Sequence, residues 1–428
     1  MLARIGLERM DDLFAQVPES LRRRAELKLG DALDERALLE HFSAQAARNL
    51  SVRGTASFLG GGAYHHFIPS TVDALASRGE FVTAYTPYQA EISQGTLQAI
   101  YEFQTMLCQL LGLDVANASL YDGASAAAEA ALMSLRTTRR QRIYLSRGVH
   151  PHYRKVIETY TRELGAELEP LAVGEDGRTR LPASLGEDAA SVILQSPNFY
   201  GCVEDLAAFA ELAHGAGALA ISTTAEALAL ALLEAPGALG VDVACGEAQS
   251  FGVPISFGGP HVGFLAARRE LVRNLPGRLI GETLDSEGRR AFVMTLTTRE
   301  QHIRRERATS NICTNQALCA LRVTIYLALM GRRGLRRLAE INHSLASYAK
   351  RELANAGLAL PYAAPTFNEF VVAVPDLPDR LQACAQKQIQ AGVPLGELEG
   401  ETADRLLVCA TEMNSREQID RLVRELAR

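Results

Sequence analysis

The chain has 428 residues, 47% of them apolar and 22% charged, with a formal net charge of −6. That balance suits a large folded unit plus a smaller one, and it gives no reason to expect nucleic-acid binding. Seven cysteines without a CxxC pair, and histidines that complete no zinc spacing, point to buried free thiols and no metal site. Four of the 44 basic residues are lysines, namely Lys28, Lys155, Lys350 and Lys387. No apolar segment follows Met1 in the way a secretory leader would, and the apolar run 218–233 is broken by Glu226 and three hydroxyl residues. A cytoplasmic protein without a membrane span is expected.

Residues 1–60 are charged and helical in period, with short amphipathic helices expected at 18–21 and 34–49. Such an arm cannot bury itself. Gly60, Gly61 and Gly62 then mark a loop of close backbone approach, followed by His65 and His66, whose side chains should point apart rather than chelate. The loop 84–95 carries Tyr85, Tyr88, Gln89 and Glu91, which either line a site or cap the helix expected over 96–111. The apolar stripe of that helix, with the N-terminal arm, offers more apolar surface than a lone chain should leave open.

From residue 116 the pattern becomes alternating strand and helix. Strands are expected at 118–121, 142–146, 168–173, 191–195, 218–222, 241–245 and 262–267, with helices at 126–135, 153–164 and 206–214. Asp122 and Gly123 form a turn into a helix N-terminus, where free N–H groups favour an anion, although Asp122 could serve only as the cap. His150 and Asn198 lie in turns at the carboxyl ends of strands, where open α/β sheets bind ligands and where polar turn residues are also common. No phosphate loop and no GxGxxG fingerprint supports nucleotide binding. The charge run 299–307 reads as a solvated or interface helix face. Helices at 317–330 and 335–356 flank a candidate boundary at 331–334; strands at 369–374 and 405–410 with helices at 379–391 and 416–426 complete a small α+β domain. The expected division is 1–60 arm, 61–330 large α/β domain, and 331–428 small domain.

An ordered series of motifs spans the chain: Phe58 to Gly62, Ala84 to Gly95, Tyr121 to Ala124, Gly148 to Pro151, Pro197 to Phe199, Gln249-Ser250, Gly258 to His261, and Thr309 to Ile312. The series resembles the glycine cleavage system P-protein, in the form divided between two subunits, and within it subunit 1. The resemblance implies a pyridoxal-phosphate-dependent transferase-like fold of type I, with a mostly parallel mixed sheet in the large domain. It also implies that the cofactor lysine belongs to subunit 2, and Gln249 and Ser250 stand here where a lysine would be sought. Glu226 lies near the slot of the aspartate that would face the pyridine nitrogen. Asp122, Gly123, His150, Asn198, Glu226, Gln249 and Ser250 are then candidates for a vestigial pocket, and Tyr88, Gln89 and Glu91 for contact with the partner's site.

The implied assembly is an α2β2 enzyme that decarboxylates glycine and passes the aminomethyl group to the lipoylated H-protein, with pyridoxal phosphate on subunit 2. Two rival readings are a stand-alone decarboxylase or aminotransferase of this fold, which would need one of the four lysines in its pocket, and a non-enzymatic binding protein on a degenerate version of it.

Overall fold

Apolar runs that alternate with amphipathic helices can bury both faces of a sheet, and the chain between residues 115 and 267 does so. The computed structural model describes residues 1–24, 29–52, 54–398 and 402–428, so Lys28 lies outside the described residues. Two compact units result, Met1–Arg53 and Gly54–Arg428.

The first unit contains α1 (Glu19–Arg24) and α2 (Glu35–Ala46), the latter capped by Asp34, whose Oδ1 accepts from Ala37 N at 2.8 Å. Neither helix buries a residue, and Phe14, Leu39 and Phe42 are exposed.

The second unit opens with β1 (Ala56–Ser57), α3 (Ser70–Ala76) and α4 (Gln94–Leu111). The main sheet follows: β2 (Val115–Ala116), β3 (Arg142–Ser146), β4 (Glu167–Leu171), β5 (Ala189–Gln195), β6 (Leu219–Thr224), β7 (Val243–Glu247) and β8 (Gly263–Ala267). Their spatial order is β2-β8-β7-β6-β5-β3-β4, parallel from β7 through β4, with β8 and β2 antiparallel at one edge. The helices α5 (Gly123–Thr138), α6 (Pro151–Thr161) and α7 (Leu206–Gly215) supply the crossovers. Strand β5 is buried throughout, sending Val192 and Leu194 to one face and Ala190 and Ile193 to the other. The alanine-rich α5 lies over Ile143, Ile193, Val243 and Leu265, and Phe209 and Phe264 fill the opposite face.

A hairpin of β9 (Leu279–Leu284) and β10 (Arg290–Thr295) comes next, turned by Asp285, whose Oδ1 accepts from the N–H groups of Glu287 and Arg289 at 2.8 Å each. The short helix α8 (Gln301–Arg304) carries part of the charge run; its flanking Glu300 is buried, 3.6 Å from Arg278. The long α9 (Ala317–Asn355) joins the two expected helices through one non-helical residue, Gly331, at φ 57° and ψ 175°. The C-terminal part contains β11 (Glu369–Ala373), α10 (Leu377–Gln386), β12 (Ile389–Gln390), β13 (Val393–Pro394), β14 (Arg405–Cys409) and α11 (Arg416–Leu426). Strand β12 pairs with β1, and β11, β14 and β13 form an antiparallel sheet.

Three expectations change. No strand forms over 118–121: β2 ends at Ala116, Leu120 makes only an isolated bridge to Gly263, and between them Ser119 turns to φ 126° while Asn315 Nδ2 donates to Ala118 O and Ser119 Oγ. The helix placed at 379–391 ends at Gln386, and Gln388 at φ 58° turns the chain into β12. The stripe of α4 is no open surface: Leu97, Ile100, Phe103, Leu107 and Leu111 are buried inside the chain, where α4 packs against α9. Among the described residues no helix is long and apolar enough to cross a membrane.

Candidate functional site

The carboxyl ends of parallel strands leave a crevice where the connecting turns diverge. Here β3 and β7 end around a cavity of about 680 Å³, lined by Gly60 to Ala63, Tyr121 to Ser125, His150, His152, Tyr153, Glu247, Gly258 to His261 and Gln316. Its floor is the N-terminus of α5. Asp122 caps that helix, with Oδ1 accepting from Ser125 N at 2.7 Å while Ser125 Oγ accepts from Asp122 N at 3.1 Å. Gly123 N donates to Glu247 Oε2 at 3.0 Å. The other oxygen of Glu247 accepts from Gln249 N at 3.1 Å and Val262 N at 2.8 Å. Burial pushes Glu247 up to about 7, against the N–H donors that hold it down.

A strap of chain, residues 58–67, crosses beside this floor. His150 Nε2 donates to Gly61 O at 2.7 Å, and its Nδ1 accepts from His152 N at 3.1 Å, which fixes the neutral tautomer. Burial lowers His150 to about 4, in keeping with that form. A Cβ on Gly62 would meet the His150 ring at 2.8 Å, and Gly62 sits at φ 109°, so glycine is required there. Gln249 fastens the strap from below: its Oε1 accepts from Tyr64 N at 2.9 Å, and its Nε2 donates to Tyr64 O at 3.1 Å and Val253 O at 2.7 Å. Tyr64 Oη donates to Glu369 Oε2 at 2.6 Å, and Gly61 N to Glu369 Oε1 at 2.7 Å.

The far end of the strap is held by charge. His66 Nε2 meets Glu226 Oε2 at 3.0 Å, and its Nδ1 meets Glu412 Oε2 at 2.9 Å, with the imidazole and the Glu226 carboxylate almost fully buried. Burial opposes the imidazolium, but the two carboxylates outweigh it and raise His66 to about 10. Asn368 donates to Glu226 Oε2 at 3.1 Å, Leu228 N to Glu226 Oε1 at 2.9 Å, and Asn342 to Glu412 Oε2 at 2.9 Å.

The candidate residues therefore separate into groups. Asp122, Gly123 and His150 come together in the cavity. Glu226 and Gln249 stand behind it as anchors of the strap. Ser250 is buried near Gln249, and its Oγ finds no hydrogen-bond partner among the described residues. Asn198 holds a turn: its Nδ2 donates to Gly177 O at 2.7 Å and Glu204 Oε1 at 2.8 Å, and its Oδ1 accepts from the N–H groups of Tyr200 and Cys202. Tyr88, Gln89 and Glu91 are exposed on their own loop, outside this cavity. The arginine Arg278 lies 5.6 Å from the centre of the Tyr88 ring. Glu247, Tyr64, His66, Glu369 and Glu412 complete the arrangement and were not among the sequence candidates. The one local signal for Glu247 is a carboxylate at the end of a strand of small apolar residues.

A covalently held pyridoxal phosphate needs a lysine in reach, free N–H groups for its phosphate, and a carboxylate for its ring nitrogen. Lys155 is exposed on α6, Lys350 Nζ lies 3.3 Å from Thr366 Oγ1, and Lys387 Nζ binds Glu425 at 2.7 Å. None of these lines the cavity, Gly123 N is taken by Glu247, and both oxygens of Glu226 are engaged. These residues do not fit the cofactor. Among the described residues no cluster of three metal-ligating side chains occurs either.

Comparison with known proteins gives the family. The family model for the glycine cleavage system P-protein matches residues 1–426. The probable glycine dehydrogenase (decarboxylating) subunit 1 of Moorella thermoacetica is 51% identical over 432 residues, which cover 99% of this chain and 95% of the relative. A crystal structure of glycine decarboxylase (P-protein) of the glycine cleavage system, in inhibitor-bound form, is 45% identical with a TM-score of 0.92, covering 100% of this chain and 96% of that one. A C-DES variant with glycine linked to its PLP cofactor shares the fold alone, at 15% identity and a TM-score of 0.64, covering 88% of this chain and 97% of that one. The fold is that of the type I pyridoxal-phosphate enzymes, and the chain belongs to the glycine cleavage system P-protein family.

Proposed function

We propose that this chain is subunit 1 of a glycine-decarboxylating enzyme and works only with a lysine-bearing second subunit. The observation that carries the reading is the full-length match to subunit 1 relatives in a chain whose cavity is lined by no lysine among the described residues. In this reading pyridoxal phosphate sits on subunit 2, the assembly is α2β2, and the aminomethyl product passes to the lipoyl group of an H-protein. The chemistry of the cofactor belongs to the partner, and no step of it is assigned to a residue of this chain. The division into a large domain at 61–330 and a small one at 331–428 is kept as part of the proposal.

What this chain adds is a surface. The loop before α4 exposes Tyr85, Tyr88 and Ile92, apolar side chains that water does not favour. Its end is pinned rigidly: Gln94 Nε2 donates to Ala90 O at 2.7 Å and Phe292 O at 2.8 Å, and Gln94 Oε1 accepts from Phe292 N at 2.8 Å. A loop held this way can aim Tyr88, Gln89 or Glu91 at a neighbour's glycine site or lipoyl entrance. In the assembled enzyme, Glu91→Gln or Tyr88→Phe should lower glycine decarboxylation about tenfold or more, without changing tetramer content or the partner's cofactor content. Activity that falls only in step with lost tetramer would make the loop structural.

A further inference from the structure

Glu247 stands where a bound anion would stand. The helix α5 has 16 residues, and its first-turn N–H groups converge on the cavity floor as such groups do at anion sites. Two of those donors are already satisfied from within the chain, Gly123 N by Glu247 and Ser125 N by Asp122. Glu247 is 2% exposed and takes two further backbone donors, from Gln249 and Val262. That is the coordination a carboxylate or phosphate ligand would seek. The wall is closed as well: a Cβ on Gly123 would collide with Tyr153 Oη, so little space lies between α5 and α6 at this point. Beside the floor, the strap is fastened at Gly61, Tyr64 and His66 by His150, Gln249, Glu369, Glu226 and Glu412.

We infer that the pocket is self-liganded: the chain fills the anion position at the N-terminus of α5 with Glu247, beside a cavity that its own strap walls, so no phosphorylated ligand binds at that position. The inference goes beyond the proposed function and stands wherever the cofactor of the assembly resides. Among the described residues, the other charged or titratable groups that face Glu247 include Asp122, His261, whose Nδ1 lies 3.9 Å from Glu247 Oε2, Tyr153 across the wall, and Cys319.

The test is a gain of binding in Glu247→Ser, made in the full chain and probed with inorganic phosphate by calorimetry and phosphorus NMR. The unsubstituted chain should show no saturable binding, while the variant binds at least about tenfold more tightly than any residual signal of its parent. Equal binding by both proteins would overturn the inference, and so would a folded variant indifferent to phosphate. If Glu247→Ser does not fold by itself, refolding with phosphate against chloride of equal ionic strength decides. Rescue by phosphate supports the anion role. No rescue, with Glu247→Gln folding normally, would mean that the side chain only fills space.

Discussion

Replacing His66 with alanine lowers the unfolding free energy by about 3–5 kcal/mol at neutral pH, because it leaves the buried carboxylates of Glu226 and Glu412 without their shared cation. The imidazolium also ties the strap to two distant parts of the chain, so its loss frees residues 60–67 from one of their anchors. The pH dependence follows from the direction of its shift. His66 is raised from 6.5 to about 10, so its stabilisation is present in full below about 6.5 and is lost as pH rises through about 10. The gap between the parent and His66→Ala should therefore narrow across that window. Urea unfolding followed by circular dichroism measures it, the chain having no tryptophan to report on. A difference below about 1 kcal/mol near pH 7 would show that the pair of carboxylates is not held by charge.

Gly246→Ala should be as damaging for a different reason. Gly246 sits in β7 at φ 158°, and a Cβ there would fall on the backbone of Thr224 in the adjoining β6. Backbone cannot swing aside as a side chain can, so either the ladder opens or Glu247, the next residue, leaves the floor of the cavity. A loss of more than about 4 kcal/mol, or of soluble native protein altogether, is expected. Gly79→Ala is the control, since nothing lies within 4 Å of its Cβ position. Equal tolerance of both substitutions in thermal unfolding would contradict the packing described for β6 and β7.

Much of the large sheet was legible because burial on both faces leaves a plain signal. The run Ala189 to Gln195 is nearly all apolar, and the turns after it carry Pro197, Asn198 and Gly201. The hairpin of β9 and β10 was not read, since only Phe292 of β10 is buried and the strand lacks strict alternation. In the site, Asp122 and Gly123 were found because free N–H groups meet at a helix N-terminus, and His150 because ligands meet the carboxyl ends of strands; the second rule also picked Asn198, which holds a turn instead. Glu247 lay within the stretch where a lysine was sought, yet its partner Gly123 is 124 residues away. His66 meets Glu226 and Glu412 across 160 and 346 residues, and no local pattern encodes such a meeting. Gln249 shows the limit from the other side. Its residue type shows in the sequence that it offers no amine, but its work as the clamp on Tyr64 needed the fold.

The central claim is that the chemistry of the assembled enzyme runs on a lysine of the second subunit while this chain shapes and completes the assembly. Borohydride reduction of the assembled enzyme with pyridoxal phosphate, followed by peptide mapping of both subunits, tests it most directly. The account predicts a stoichiometric pyridoxyl-lysine on the partner and none on this chain. A stoichiometric pyridoxyl-lysine at Lys28, Lys155, Lys350 or Lys387 would contradict it.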